Sequence, residues 1–480
     1  MSRLGIAGVG AYAPRGFVTA ETFRDAWGQF AASGIQQVSV TDADEDTLTM
    51  AAESATDALA AAGVDAAAIE ALYVGTTTPP TEEESMAARL VSVLGLEETT
   101  TTRQLTGSAR AGVEAFVAGL ESGLDGPILV VGTDAPRGEP GSEVEHGAGA
   151  GAGAVVLADD GDGELLETSE RSVTYPGTRF RPAGGAETEE LGVTEYARQA
   201  YRDAVTGAVS DLEATDVDAA AIGAPNGKLP YRVAGGLGLE TETIQAGSTI
   251  HDLGDAGAAT PLLGLARAFD GGAERVLVVG YGSGSEATAL VVDGTPPTES
   301  RLEGTEERSY AEYLRTRGTI TPGEPAGGGA YVSVPSWRRT LPQRHRLVAG
   351  QCTECGALAF PPEGACTDCG TLDSYEEVTL PGTGTVEAAT VIGQGGAPPE
   401  FVEQQARSGS YVSAVVALDG PEGSAETVST PAQLVDCDER PEIGDRVHST
   451  IRRIYTQEGV TRYGLKLRPE GARRGSGETE

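Results

Sequence analysis

The sequence predicts a duplicated α/β domain, followed by a cysteine-rich ribbon and a small all-β barrel. Three observations support this prediction. Over the first 295 residues, short apolar strands alternate with alanine-rich helical stretches. Several of these elements recur in the same order later in that region. After them, two CxxC pairs precede a set of short strands with alternating polar and apolar residues.

The internal repeat is visible in the spacing of its matching segments. Two strands, a glycine-flanked helix and a hairpin recur in order, and the two strands recur at the same offset. Chance similarity among glycine- and alanine-rich segments would not keep both order and offset, so we interpret the region as a duplication. The matching pairs are IEALYVG (69–75) with VDAAAIG (217–223), ILVVG (128–132) with VLVVG (276–280), 111–123 with 261–272, and 147–161 with 282–294.

The net charge of the chain tells more about the salt content of its surroundings than about its function. Asp and Glu number 72 and Lys and Arg 34, which gives a net charge of −38. Lys228 and Lys466 are the only lysines. We favour adaptation to a salt-rich, halophilic cytoplasm, where salt screens this repulsion, over an acidic surface for a basic ligand. Such a charge opposes nucleic-acid binding. The sequence also lacks a membrane-spanning apolar run and a signal-peptide pattern, so we expect a cytoplasmic protein without membrane contact.

Four cysteines form two CxxC knuckles that point to metal binding. Each knuckle directs two sulfurs at one point, and Gly356 and Gly370 free the backbone beside it. Disulfides or a thioredoxin-like redox pair are the alternatives, but a reducing cytoplasm and the doubled knuckle favour structural zinc. Cys437 follows an apolar run and is predicted to be a buried strand residue. The predicted metal ligands are Cys352, Cys355, Cys366 and Cys369.

The first 320 residues resemble the thiolase superfamily, and within it 3-hydroxy-3-methylglutaryl-CoA synthase of the archaeal type. The stretches that carry the resemblance are 178–185, 223–239, 254–266, 276–287 and 310–318. The resemblance implies a layered αβαβα fold, acyl-CoA as ligand, and acyltransferase activity. It also implies a homodimer, or a heterodimer with a thiolase or synthase homologue.

The remainder resembles the rubredoxin-like zinc ribbon plus OB-fold family that is associated with acyl-CoA enzymes. GQCTECGALAFPP, LPGTGTVEAATV and EIGDRV carry this likeness. The expected domains are a thiolase-like domain at 1–320 (halves of about 1–165 and 166–295, then a helical extension), a linker at 321–332, a basic arm and zinc ribbon at 333–375, an OB-fold at 376–470, and a disordered tail at 471–480.

The resemblance also locates the catalytic positions, and none of the family's three principal groups is present. The family's Cys, Glu and His fall on Ala109, Thr77 and Gly223. No cysteine precedes Cys352, so no shift in the alignment restores a thiolate. The positions that the resemblance assigns to substrate binding are Asn226, Asp255, Gly282, Ser283 and Gly284.

Substitutes for the lost groups are weak. Ser108 adjoins the nucleophile position but would need a paired base, and Arg110 is a permanent cation without nucleophilic character. His146 and His251 are more typical of ordinary loop or partly buried histidines; a His251–Asp255 pair acting as a base for a decarboxylation is the alternative. Two functions remain open. One is a catalytically degenerate pseudoenzyme that binds acyl-CoA or organises an acyl-transfer complex. The other is an active acyl-CoA enzyme without an acyl-enzyme intermediate, such as a decarboxylase, hydrolase or acyltransferase.

Overall fold

The computed structural model describes residues 4–159, 161–214, 216–320, 333–372, 374–393, 402–437 and 439–471. The chain divides into two compact units, and each is described by itself. Unit 1 comprises residues 1–42, 46–91 and 96–313, and unit 2 comprises 43–45, 92–95 and 314–480. The linker predicted at 321–332 lies outside the described residues, as does the predicted tail beyond Gly471.

Unit 1 contains thirteen strands and eleven helices among its described residues. The strands are β1 (Gly5–Tyr12), β2 (Gly16–Thr19), β3 (Gln37–Val40), β4 (Ala71–Gly75), β5 (Thr101–Leu105), β6 (Ile128–Asp134), β7 (Gly151–Ala158), β8 (Glu164–Tyr175), β9 (Ala219–Ile222), β10 (Arg275–Gly282), β11 (Gly284–Asp293), β12 (Thr298–Arg301) and β13 (Glu306–Glu307). The helices are α1 (Ala20–Trp27), α2 (Thr47–Ala62), α3 (Met86–Leu94), α4 (Ala111–Leu120), α5 (Glu143–Gly147), α6 (Thr194–Ser210), α7 (Leu229–Leu237), α8 (Thr241–Ala246), α9 (Ile250–Leu253), α10 (Thr260–Asp270) and α11 (Tyr310–Thr316), of which α3 and α11 end just inside the segments assigned to unit 2.

Two large sheets repeat the same pairing pattern, which reflects the duplication. The first sheet has the order β12-β1-β7-β6-β4-β5 and the second has the order β8-β11-β10-β9. In the first sheet β1 and β6 pair antiparallel with β7, while β4 pairs parallel with β6. In the second sheet β8 and β10 pair antiparallel with β11, while β9 pairs parallel with β10.

The helices complete a layered αβαβα arrangement, as the resemblance implied. Helices α4 and α10 contact strands of both sheets, whereas α2 packs on the first sheet and α6 on the second. The central helices are apolar on nearly every side because both faces are covered. Gly112 in α4 is needed for this packing, since an added Cβ would collide with the backbone carbonyl of Ala258.

The segment after residue 295, predicted as a helical extension, begins with the strands β12 and β13 and reaches a helix only at α11. Its residues Thr298–Arg301 form β12, which pairs parallel with β1 at the edge of the first sheet. Arg301 then forms ion pairs with Glu53 and Asp57 of α2. Edge strands bury few side chains, so a polar sequence can occupy one without an apolar pattern.

Unit 2 contains a three-stranded ribbon and a closed barrel of five strands, in agreement with the predicted ribbon and small barrel. The ribbon has the order β15-β14-β16 and the barrel the order β17-β18-β19-β21-β20. No described helix is long and apolar enough to span a membrane. The elements are α12 (Val334–Arg339), α13 (Leu341–Arg346), α14 (Val402–Ser408), β14 (Val348–Cys352), β15 (Leu358–Ala359), β16 (Tyr375–Thr379), β17 (Thr383–Ile392), β18 (Tyr411–Asp419), β19 (Thr427–Leu434), β20 (Arg446–Gln457) and β21 (Val460–Pro469).

Candidate active site

A cavity of about 400 Å³ in unit 1 brings together the positions that the sequence assigned to catalysis. It lies where β4, β5, β9 and β10 end, and the irregular segment between β8 and α6 contributes further lining. Ala109, Thr77 and Gly223 all line it. So do the predicted substrate-binding residues Asn226, Asp255 and Ser283, whereas Gly282 and Gly284 are not part of its lining.

The nucleophile position lies in the turn from β5 to α4. Gly107 has a φ of 107°, which turns the chain sharply, and α4 begins after Arg110. Ala109 is half-buried and contributes to the cavity wall. Its neighbour Ser108 packs against Gly282, where any Cβ would collide with the Ser108 hydroxyl. Gly282, which has no side chain, therefore leaves room for Ser108 in the turn between β5 and α4.

Arg110 is part of an ionic cluster and does not enter the cavity lining. Its guanidinium pairs with Glu114, lies 3.2 Å from Glu286, and donates to Thr288 Oγ1 at 3.0 Å. The side chain is buried. This agrees with the expectation that Arg110 replaces no nucleophile, since its charge is held by acidic partners.

The Glu position is occupied by a threonine triplet wrapped around a buried carboxylate. Asp134, at the end of β6, accepts hydrogen bonds from the amides of Thr77, Thr78 and Ala258 at 2.7, 2.9 and 2.7 Å. The hydroxyls of Thr76, Thr77 and Thr78 also donate to it. Burial raises the pKa of Asp134, and these hydrogen bonds oppose the rise. The loop predicted to carry the catalytic base is thus anchored on Asp134 by its three threonines.

The His position, Gly223, continues β9 beyond its end into the loop before α7. Its amide donates to Val279 O at 2.8 Å, and an added Cβ would lie 3.3 Å from Pro261. Asn226, three residues later, turns the chain into α7 by accepting from the Lys228 amide at 3.1 Å. The backbone here would need only a small shift to carry a side chain.

Asp255 does not pair with His251, because α9 ends at Leu253 and Gly254 redirects the chain. Instead Asp255 forms an ion pair with Arg179 and accepts from the Gly257 amide at 2.9 Å. The possible His251–Asp255 base of the sequence analysis is therefore corrected. Arg181, from the same irregular segment as Arg179, donates to the carbonyl oxygen of Thr77.

Neither histidine of unit 1 lines the cavity. His251 donates through Nδ1 to Gly34 O, and its Nε2 lies 2.8 Å from Tyr231 Oη. His146 is fully buried, stacks on Phe30, and accepts from the Ala31 amide through Nδ1 at 3.0 Å. Burial lowers the pKa of His146. Ser108 therefore has no imidazole partner within the described lining.

Two carboxyl groups of the lining have raised pKa values. Burial raises the pKa of Glu143. Burial also raises the pKa of Glu190, the charge of Glu143 adds to the effect, and Arg179 opposes it. These groups could exchange a proton with a bound ligand. The described lining contains hydroxyls, carboxyls and guanidiniums but neither a thiol nor an imidazole, which are the groups that acyl-enzyme condensation requires.

The four ribbon cysteines are positioned to bind a metal ion. The Sγ atoms of Cys352 and Cys369 are 3.6 Å apart, as are those of Cys355 and Cys366, and all four lie within 4.8 Å of one another. Tetrahedral thiolates with metal–sulfur bonds of about 2.3 Å have sulfurs about 3.8 Å apart, so the arrangement fits. Disulfide bonding, the alternative, is not observed among them. The prediction that Cys437 is a buried strand residue is wrong: Cys437 lies beyond the end of β19 at Leu434, is half-buried, and donates to Val435 O.

Comparison with known proteins identifies the family of the larger part of the chain. A hydroxymethylglutaryl-CoA synthase from Methanopyrus kandleri is 33% identical over 350 residues, which cover 68% of this chain and 96% of that protein. The chain belongs to the hydroxymethylglutaryl-CoA synthase family. A second member of the family, from Aeropyrum pernix, is 32% identical over 345 residues, covering 66% of this chain and 95% of the relative.

Solved structures resemble the fold of the larger part of the chain, and family models match two segments of unit 2. A synthase in complex with 3-hydroxy-3-methylglutaryl coenzyme A has a TM-score of 0.57 at 21% identity and covers 68% of this chain and 95% of its own. A 3-oxoacyl-(acyl carrier protein) synthase III from Pseudomonas aeruginosa has a TM-score of 0.55 at 23% identity, covering 62% and 100%. The family model of the ChsH2 rubredoxin-like zinc ribbon matches residues 339–373, and that of its C-terminal OB-fold matches 377–452. The thiolase-like fold, ribbon and OB-fold expected from the sequence are confirmed.

Asp134, Arg179 and Arg181 are among the residues of the site that were not singled out from the sequence. Asp134 had a usable signal, since it is a polar residue directly after an apolar strand, as are the threonines after β4. Arg179 and Arg181 lie within 178–185, a stretch that carries the family resemblance, but no local pattern marks their contacts because the segment has no regular structure. Their approach to Asp255 and Thr77 depends on the tertiary fold.

Proposed function

We propose that unit 1 binds an acyl-CoA in its cavity without forming an acyl-enzyme, and that the chain is catalytically degenerate for condensation. The observation that carries the proposal is Ala109 at the cavity wall of a synthase-family fold whose first cysteine is Cys352. A methyl group cannot accept an acyl group. Retention of the cavity, by contrast, is what a binding role requires.

The charges of the lining support a phosphorylated ligand. In a chain of net charge −38, Arg198, Lys228 and Arg232 line the same cavity, and Lys228 and Arg232 are exposed. The other lysine, Lys466, is buried in unit 2. Cations at an open side of a cavity suit the phosphate groups of coenzyme A. A solved neighbour holds 3-hydroxy-3-methylglutaryl coenzyme A, which supports the same ligand class.

Titration calorimetry with acetyl-CoA tests the binding role. Wild type should bind saturably, and Ala109→Trp, which fills the catalytic end, should weaken binding by about tenfold or more. Ala60→Trp, on an exposed position of α2, is the matched control and should bind like wild type. Absence of saturable binding by folded wild-type protein would overturn the proposal, as would equal affinity of wild type and Ala109→Trp.

Unit 2 carries structural zinc in this proposal. The sulfur geometry fits a tetrahedral thiolate site, and the match to a zinc-ribbon family model supports zinc as the metal. The chain also organises a complex in this proposal, and its partner is a second copy or a thiolase or synthase homologue. Support comes from unit 1, where the half-buried edge strand β5 has an outer side that is unpaired among the described strands. Light scattering of the purified chain, alone and mixed with a Cys-bearing synthase, tests this; a monomer in both samples would refute it.

We also propose that the protein is archaeal and works in a salt-rich cytoplasm. The acidic composition supports the adaptation to salt. The acid residues outnumber the basic ones by 72 to 34, and repulsion among them falls as salt screens it. The unfolding temperature should therefore rise between dilute and molar KCl. A protein that is most stable in dilute buffer would contradict this part of the proposal.

A further inference from the structure

The basic arm, residues 333–346 of unit 2, is a concentration of positive charge in an acidic protein. No Asp or Glu occurs between Glu324 and Glu354, whereas across the whole chain acidic residues outnumber basic ones by 72 to 34. The charge of the arm is therefore opposite in sign to that of the protein. Its cationic residues are Arg338, Arg339, Arg344 and Arg346.

The arm is a folded part of unit 2 that consists of the helices α12 and α13. Helix α13 packs against β21 of the barrel and β14 of the ribbon. In α12, the ring centroid of Trp337 lies 5.1 Å from Cζ of Arg462, which is a cation–π contact with a residue of β21. These contacts fix both helices, so the arginines lie on a surface of defined shape.

The arginines of the arm lack the acidic partners that other arginines of unit 2 have. Ion pairs with carboxylates are made by Arg407, Arg446 and Arg452. In the described part of the chain, none of the four arm arginines lies within ion-pair distance of a carboxylate. Arg338, Arg339 and Arg346 are exposed, and Arg344 donates to Thr340 Oγ1 at 2.9 Å. Their charges are therefore available to a partner molecule.

A protein of this chain's own composition has the surface that such an arm fits. A guanidinium binds a carboxylate through two parallel N–H···O contacts of about 2.8 Å. Salt at 1 M screens the repulsion between two acidic proteins beyond about 3 Å, so contacts at that range persist while the long-range repulsion is lost. A second copy would offer its acidic surface to the first arm and its own arm to the first copy, so a two-fold pair makes the contact twice.

Nucleic acid is the competing anionic partner. Its phosphates would also accept from guanidiniums, but binding would bring a polyanion up to a chain of net charge −38. A folded protein exposes carboxylates in patches and brings less charge to the contact. The charge balance therefore favours an acidic protein surface over nucleic acid.

We infer that the basic arm binds an acidic surface of a second copy of this chain through arginine–carboxylate contacts. The inference rests on the proposed organisation of a complex, and it adds the surface of unit 2 that takes part and the chemistry by which it binds. This contact is separate from the β5 edge, which belongs to unit 1 and would pair through backbone groups.

Sedimentation velocity of the full chain, over a range of protein concentrations in molar KCl, tests the inference. Wild type should form an assembly that dissociates on dilution. Arg338→Glu/Arg339→Glu should need about tenfold more protein to form it, because like charges then face each other. Arg338→Lys/Arg339→Lys keeps the charge but loses the forked geometry, so it should give an intermediate value.

The matched control is Arg202→Glu/Arg440→Glu, which makes the same change in net charge at two exposed arginines outside the arm. It should associate like wild type. Zinc content and circular dichroism of each variant show that it is folded. If the control loses association as strongly as the arm variant, net charge is responsible and the arm is refuted.

The remaining outcomes separate the arm from the proposed complex. If wild type does not associate with itself, or if Arg338→Glu/Arg339→Glu associates like wild type, the inference is refuted. The proposed complex fails as well only if wild type also does not bind a Cys-bearing synthase. Binding of a labelled oligonucleotide by wild type and not by the arm variant, without self-association, would overturn the inference in favour of nucleic acid.

Discussion

The cavity of unit 1 and the cysteine cluster of unit 2 differ in whether the side chains at their predicted functional positions can perform the expected chemistry. Around the cavity the turns, strand ends and buried Asp134 are in place, while the predicted catalytic positions Ala109, Thr77 and Gly223 carry no thiol, carboxyl or imidazole. In the ribbon all four sulfurs converge. The cavity is supported by a large apolar core between two sheets, so its chemistry can change without loss of the fold. The ribbon has a small apolar cluster that includes two of its cysteines, so it depends on its ligands.

The largest effect is expected when a mutation removes a metal ligand from the ribbon. Cys366→Ser should abolish equimolar zinc binding and expose residues 339–373 to protease, because binding of a structural zinc supplies folding free energy of about 10 kcal/mol or more in small sites. Metal analysis and limited proteolysis measure it. Cys437→Ser is the matched control and should keep its zinc. Retention of both zinc and protection in Cys366→Ser would show that the ribbon folds without its full ligand set.

A smaller but still large effect is expected at Asp134. Asp134→Ala should lower the free energy of unfolding by about 3–5 kcal/mol, because buried hydroxyls and amides would lose their acceptor. Chemical denaturation followed by circular dichroism measures the change. Asp125→Ala, an exposed surface aspartate, should change it by less than about 0.5 kcal/mol. Equal stability of the two variants would mean that the threonine loop does not depend on Asp134.

The central helix offers a test of how tightly the cavity scaffold is packed. Gly112→Ala should destabilise unit 1 by about 3 kcal/mol, since its Cβ would collide with the Ala258 carbonyl. Gly235→Ala is in helix α7 with open space around the position, so it should stabilise by up to about 1 kcal/mol. Thermal unfolding of both variants measures the contrast. The same sign of change in both would refute the packing argument.

The smallest expected effect is pH-dependent and concerns His146. Burial lowers the pKa of His146 below its ordinary value of 6.5, so the unfolded chain binds the proton more readily. Stability should therefore fall as the pH drops below about 6.5. His146→Asn, whose Oδ1 can accept from the Ala31 amide, should show a weaker loss over that range. If wild type and His146→Asn lose the same stability as the pH falls, His146 is not the source of the loss.

The sequence predicted the parts of the molecule that depend on local pattern. The CxxC spacing, the turn before α4 and the paired strand–helix units are each readable within a few residues. The polar strand β12 was not predicted, because its assignment depends on pairing with β1 at the other end of unit 1. The same holds for Arg181, whose partner Thr77 is 104 residues away in the chain. Contacts of this kind leave no local periodicity.

The central claim is that the cavity accepts an acyl-CoA but has no group that takes the acyl chain. Intact mass after incubation with acetyl-CoA or acetoacetyl-CoA in molar KCl tests it most directly, with wild type, Ala109→Cys and Ser108→Cys side by side. We predict no adduct on wild type and an adduct on Ala109→Cys that peptide mapping places at position 109. Ser108→Cys should react less, because its side chain packs against Gly282. An acyl adduct on the wild-type protein would contradict the claim.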